Sequence, residues 1–569
     1  AAGQGEVETM RSSLYLGLML TCLVAVQGLH VPSSASPSGL ADTRQRPILA
    51  AKGGNLKHAT VKSAQGLMPL RGGAAGQGEV ETMRSSLYLG LMLTCLVAVQ
   101  GLHVPSSASP SGLADTRQRP ILAAKGGNLK HATVKSAQGL MPLRGGGEQD
   151  VTGFIFYLFK AIVGSGVLSL SSSVARFTNN PKMLAPALFL SASFAILSGY
   201  CYALIGEVCG MVDAHNYQEA WAKSISTATA WIPGMACTSQ TMVACICYSI
   251  IIGDLSNDLM KSLGVRGWAA ERNNLLAAIS AVVLLPLCLL RSLAALSYTS
   301  MLGVMGVLYT TVFMALRYFQ GSYAKGGEFF KELSQKPSFG NSAEALKALI
   351  LMATLNTAYH AHYDSPKFFH QMIPKTVQQF NKLVYPAFIA AGIINCLIMS
   401  TGFLTFGGTS QGLILNNYAT SDNLAIWGRL AITASILFGY PLAFNGFRTG
   451  AFALAGVKNP SQSAKDAVAV ITVLATTGIA MVMRDLGFLA AFAGALLGSG
   501  IIYVFPALMH MSATKTLIEQ DQKLPAKKRK GLKYDNKYYL SQVIAVLGSI
   551  LGLVGATVSY LQAFTDVLG

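Results

Sequence analysis

Residues 159–175 read FKAIVGSGVLSLSSSVA, an apolar run interrupted at its middle by Gly164, Ser165 and Gly166. In hydrocarbon such a triplet has two uses. The helix unwinds there, because glycine tolerates the change of backbone direction, and exposes unpaired backbone groups and the N-terminal end of a half-helix that attracts a carboxylate. Alternatively, the small residues admit a second helix at close range. Periodicity alone leaves both readings open.

Outward from this stretch the chain alternates apolar runs with short polar connections. Of 569 residues, 52% are apolar and only 12% charged, roughly half the charge fraction of a soluble domain. The surplus apolar surface needs lipid to face. Runs near 152–175, 183–211, 228–254, 274–290, 293–318, 345–372, 381–407, 424–447, 465–483, 486–511 and 538–562 predict an all-α polytopic membrane protein of about eleven transmembrane helices. The sixth is the weakest, interrupted by His360, His362 and Asp364. Three such residues are costly in lipid unless paired or functional. They are spaced so that His362 and Asp364 meet only on a non-helical backbone, and Pro366 favours a break at Ser365.

The net charge of +18 comes from 43 basic and 25 acidic residues, yet the basic residues sit in the N-terminus and between apolar runs. They are topology signals and not a nucleic-acid footprint. Residues 512–537 hold eight basic residues against three acids, including Lys527, Lys528, Arg529 and Lys530. The positive-inside bias keeps that loop on the cytoplasm-equivalent side and leaves 408–423, with no lysine or arginine, outside. The 319–344 connection dissents, being external with Lys325, Lys331 and Lys336, offset by Glu328, Glu332 and Glu344. None of the nine cysteines has metal or disulfide spacing; Cys245 and Cys247, two apart on a helix, diverge.

Residues 1–73 recur verbatim as 74–146. Perfect identity over two copies points to duplication or an assembly error and not to a solenoid. Met83 is the expected start. From it, Arg84 precedes an apolar core from Leu87 to Val99, too short for a span and right for a signal peptide. Residues 101–146 then carry six basic residues and one acid, Asp115, a transit-like composition. The domains are therefore a duplicated targeting-like segment at 1–73, a signal-plus-transit segment at 74–149 and a transmembrane domain at 150–569. The pairing resembles the bipartite presequence of secondary-plastid algae, which implies a plastid envelope or endomembrane location.

The opening stretch resembles the first span of the amino acid/auxin permease family, within the APC superfamily, with Ser171 where that family commonly has proline. TMVACICYSIIIGDL at 241–255, LNTAYHAHYDSPKFF at 355–369, FGYPLAFNGFR at 438–448 and LLGSGIIYVFPALMHM at 496–511 extend the resemblance, in order, over residues 150–565. It implies a five-plus-five inverted repeat (LeuT-like), with spans 1–5 related to 6–10 and an extra C-terminal helix. On that fold Gly164, Ser165 and Gly166 would meet the substrate carboxylate, and Ser239 and Tyr359 would line the pocket. His362, which matches the family's sixth-span histidine, Asp364, Glu207 and Thr433 would serve ion coupling. Thr433 and Ser435 are two apart, so only one can face a given ion. Lys160 and Asp254 are expected to snorkel to interfaces.

The implied function is secondary active transport of an amino acid, a symport driven by a proton or sodium gradient, with no cofactor. The partners are that substrate and the lipid bilayer. The alternative is a sensor of the same fold signalling to a partner protein. An enzyme is disfavoured, for the sequence offers no paired carboxylates, metal cluster or nucleophile with a base. A fluorescent protein fused behind residues 83–146 is expected to enter the secretory route and then the plastid of such an alga; diffuse cytosolic fluorescence would refute the address.

Overall fold

Apolar runs in lipid fold as helices because a helix satisfies nearly every backbone donor and acceptor within its own segment. A computed structural model describes residues 158–290, 297–372 and 375–564; the targeting-like segments lie outside these. The helices in chain order are α1 Leu170–Phe177, α2 Leu184–Val212, α3 Tyr217–Ser224 and α4 Trp231–Ser262. Then come α5 Arg272–Leu289, α6 Ser297–Phe319, α7 Ala348–Ala358, α8 Ser365–Gln371 and α9 Val377–Phe406. The last four are α10 Asn423–Leu454, α11 Gln462–Val482, α12 Leu486–Lys523 and α13 Asn536–Phe564. No strand forms among the described residues, only isolated bridges such as Thr178 to Ala343.

Eight helices among the described residues are long and apolar enough to cross a bilayer: α2 with its leading turn, α4, α5 and α9 to α13. Within α6 the apolar stretch is shorter, Gly303–Phe319. The first and sixth runs are each divided. α12 continues twelve residues past the expected end at 511, because its polar extension packs back on the protein: the Ser512 hydroxyl donates to the Ser224 carbonyl, and His510 meets Ser541 at 3.1 Å.

α10 lies along both α4 and α6, α9 lies along α2, and α7 is enclosed by α12 and α13. Lipid-facing surface is legible as exposed apolar stripes. On α13 Val543, Val546, Leu547, Ile550, Leu553 and Val554 recur at helical spacing and stay exposed, the reverse of a water-soluble helix.

Charges collect at two rims. At one, Arg176 pairs with Asp485 at 2.7 Å and Arg272 with Asp254, so Asp254 is ion-paired and does not snorkel alone. At the same rim Asp422 is fully buried, takes Arg317 through two bonds of 2.9 and 2.6 Å, accepts from the Tyr323 hydroxyl at 2.8 Å and caps α10 at Leu424. At the opposite rim Lys537 on α13 pairs with Glu207 on α2 at 2.8 Å. Asp422→Ala takes the carboxylate from Arg317 and Tyr323, leaving Arg317 only Gln320 and the Phe329 ring and the Tyr323 hydroxyl only the Ala419 amide, and removing one member of a buried pair costs about 3–5 kcal/mol. The detergent-solubilised variant is expected to melt well below the parent; an unchanged midpoint would show that this network contributes nothing to stability.

Candidate functional site

The first segment unwinds where its glycines stand. The turn at 158–162 closes with Val163 N–H to the Phe159 carbonyl at 2.8 Å and Gly164 N–H to that of Ile162 at 3.0 Å. Gly164 is extended, with φ −102° and ψ −153°, and a 3-10 turn, Ser165–Ser169, leads into α1. Its leading amides have no carbonyl one turn earlier to bond. Ser171, in the position where proline is common, donates to the Ile398 carbonyl on α9 at 3.0 Å, and Ser173 donates to Thr354 on α7 at 2.8 Å. The unwound segment is thus anchored to its neighbours by hydroxyls.

Both readings of the triplet hold, at different residues. Gly166 is a close-approach glycine: a Cβ there would stand 2.9 Å from the Ala358 nitrogen on α7. Gly164 and Ser165 instead line a recess, with Lys160, Tyr248 of α4 and Ser435 of α10. The recess is tight, with a volume of about 20 Å³, room for roughly one water. Lys160 does not snorkel. Its ammonium turns inward and donates to the Ser435 hydroxyl at 2.8 Å, over Gly303 of α6, where a Cβ would lie 2.6 Å from Nζ.

The sixth segment also breaks. α7 ends at Ala358, the chain turns through Tyr359 to Ala361, and a 3-10 turn, His362–Asp364, precedes α8. The break therefore falls before Ser365, because Pro366 sits in the first turn of α8, where its missing N–H costs nothing, and starts that helix. Although the backbone is non-helical there, no hydrogen bond joins His362 to Asp364. His362 Nε2 bonds the Ser198 carbonyl at 2.9 Å, with its ring against Tyr202 and Phe388. His360 is buried with both ring nitrogens unpartnered.

The end of α7 is held to α12, which carries π-turns at Gly494–Gly498 and Gly500–Val504. Asn356 donates to the Gly494 carbonyl at 3.1 Å and the Ser499 hydroxyl at 2.9 Å, and accepts from Tyr503 at 3.0 Å. Such turns free carbonyls and recur at functional sites.

Other sequence candidates lie off the recess. Ser239 is about two and a half helical turns from Tyr248 on the same helix. The Tyr359 hydroxyl is taken by Ser191 of α2 at 3.0 Å. Thr433 is buried with an unpartnered hydroxyl and does not line the recess; Ser435 does. Glu207 belongs to the rim pair with Lys537. Tyr248, Gly303 and Asn356 escaped the sequence reading, since a lone tyrosine, glycine or asparagine in an apolar run looks like packing.

Residues 149–532 match the model of the family described as transmembrane amino acid transporter protein. The chain is 23% identical over 369 residues to a vacuolar amino acid transporter 5 of Schizosaccharomyces pombe, covering 63% of this chain and 83% of that one. It is 24% identical over 312 residues to a sodium-coupled neutral amino acid transporter 7 of Bos taurus, covering 52% and 63% respectively. Among solved structures it is similar to a manganese transporter of Eremococcus coleocola, with 14% identity, 73% and 88% of the two chains covered and a TM-score of 0.46.

The two glycines are expected to respond differently to substitution. Gly166→Ala drives a Cβ into the α7 backbone and should cost about 1–3 kcal/mol. Gly164→Ala meets only the Tyr248 hydroxyl at 4.0 Å and should fold normally, whereas Gly164→Leu fills the recess and should stop substrate exchange. Thermal melting and counterflow exchange check both; equal melting of the two alanine variants would contradict the assignment.

Proposed function

The chain belongs to the transmembrane amino acid transporter family, and we propose that it carries an amino acid across its membrane by secondary active transport, through alternating access about the two broken segments. One observation carries this reading: the breaks at 163–169 and 359–364 lie in neighbouring segments, with Gly166 against the end of α7. The substrate carboxylate is assigned to the unwound stretch at Gly164, Ser165 and Gly166, through the Ser165 and Gly166 amides because that of Gly164 bonds the Ile162 carbonyl, and the Tyr248 hydroxyl lines the same recess. Ser239 and Tyr359 stand as wider pocket residues.

We propose eleven crossings arranged as a five-plus-five inverted repeat with α13 appended. Helix lengths support it. After each break comes a helix of 29 or 30 residues, α2 or α9, and then one of 32, α4 or α10. The fourth members, α5 and α11, have 18 and 21 residues.

The coupling ion is a proton in this reading. Lys160 occupies the corner between the first segment, α6 and α10, and its ammonium takes the Ser435 oxygen. No carboxylate lines that recess among the described residues. A sodium ion about 4 Å from the ammonium would be opposed by roughly 4 kcal/mol at an effective dielectric of about 20. A second proposal keeps His362 and Asp364, seated in the sixth break, as the coupling pair. Glu207 and Thr433, off the recess, are weaker candidates.

Uptake of radiolabelled amino acid by purified protein in liposomes separates these. A proton gradient is expected to drive accumulation with sodium replaced by choline. Lys160→Met should lose at least about tenfold in accumulation while keeping exchange, since exchange needs only the binding site and the moving helices. Loss of accumulation in His362→Gln or Asp364→Asn, with Lys160→Met normal, transfers the role to the sixth break. Dependence on sodium would overturn the proton reading.

A further inference from the structure

Three potential metal ligands meet at the rim that holds Glu207 and Lys537. Asp213 is the C-cap of α2, in the left-handed region at φ 51°, His215 follows in the linker to α3, and His370 projects from α8. Their ligand atoms lie within 4.8 Å of one another. Asp213 and His215 are exposed, so side-chain rotation can close that distance to the separation a metal requires.

The surroundings already orient the His370 ring and the backbone that carries Asp213 and His215. His370 Nε2 meets the Ala214 carbonyl at 2.7 Å, which makes Nε2 the donor and leaves Nδ1 with its lone pair. That Nδ1 is buried and has no partner. A histidine whose other nitrogen is held by a backbone carbonyl is the usual arrangement of a metal ligand. The His370 ring lies 4.0 Å from that of His215. The linker is pinned as well, since the His215 amide donates to Glu219 at 2.9 Å and Lys223 donates to the Asp213 carbonyl at 2.6 Å. Against the cost of burial, which raises it, the Lys223 ammonium and His215 amide hold the Glu219 carboxyl below its usual range.

We propose that Asp213, His215 and His370 form a regulatory site for a divalent transition metal of the zinc type, with water in the fourth position, and that the bound metal slows transport. Two imidazoles and one carboxylate suit zinc. The metal would tie the end of α2 to α8, the half of the sixth segment beyond its break, and so restrain the piece that alternating access must move. The restraint rests on the transport reading above; the metal site does not.

The test uses the full chain. Zinc chloride is titrated against purified protein in competition with a chromophoric chelator, for the parent, His370→Gln and His215→Gln; glutamine at 370 still donates to Ala214, and His215 is exposed, so both variants should fold. Binding is expected to weaken at least about tenfold in each variant. In liposomes zinc should inhibit uptake by the parent and spare His370→Gln. Equal zinc affinity in all three proteins would overturn the site. Affinity lost in the variants with parent uptake insensitive to zinc would overturn the restraint. Zinc binding by a protein that moves no amino acid would refute the transport reading and leave the site standing.

Discussion

A helix broken inside hydrocarbon must give its freed backbone groups to other partners, and the arrangement of this protein about its recess follows from that requirement. At the end of α7 the Tyr359 and His360 amides bond the Leu355 and Thr357 carbonyls, while the Asn356 side chain takes up the π-turn carbonyl of Gly494 on α12, the Ser499 hydroxyl and Tyr503. Thr357, the next residue, donates to the Ala490 carbonyl. Ser171 and Ser173 tie the start of α1 to α9 and α7. Each such bond left unmade would cost about 1–3 kcal/mol. The two breaks therefore persist because the helices around them are irregular or hydroxyl-bearing at matching heights.

Charge is sorted by the same economy. At the rims carboxylates have basic partners: Asp485 with Arg176, Asp254 with Arg272, Asp422 with Arg317, Glu207 with Lys537. Between the rims polar groups are left under-satisfied. His360 has none of its ring nitrogens bonded, and Lys160 has one hydroxyl where an ammonium can donate three bonds. An intramembrane group kept short of partners costs stability and survives where it serves function.

Much of this was legible in the sequence, and the limits have physical causes. Hydropathy placed the long helices, because lipid imposes length and apolarity together. The Gly164–Gly166 triplet marked the first break, though only the approach of Ala358 separates the packing glycine from the one at the recess. In sequence, proline reads as a breaker and puts the sixth break at Ser365, whereas Pro366 initiates α8. Side-chain direction is the least legible feature: Ser239 and Thr433 do not line the recess and the Tyr359 hydroxyl turns to Ser191, and a sequence without a known rotation for each helix cannot choose among faces. Lys160 departs from the snorkelling expectation for a related reason. A lysine one turn from a break looks able to reach an interface, but the space opened by Gly303 lets it turn inward.

That inward-facing lysine has an electrical consequence. A dissolved co-ion enters and leaves, but an ammonium on the first segment travels with the protein. Any reorientation that moves it through the membrane field then exchanges up to about 2.3 kcal/mol per 100 mV, in proportion to the fraction of the field crossed. The membrane potential acts on such a carrier in every state that keeps the lysine protonated, and so biases which way the site faces in those states.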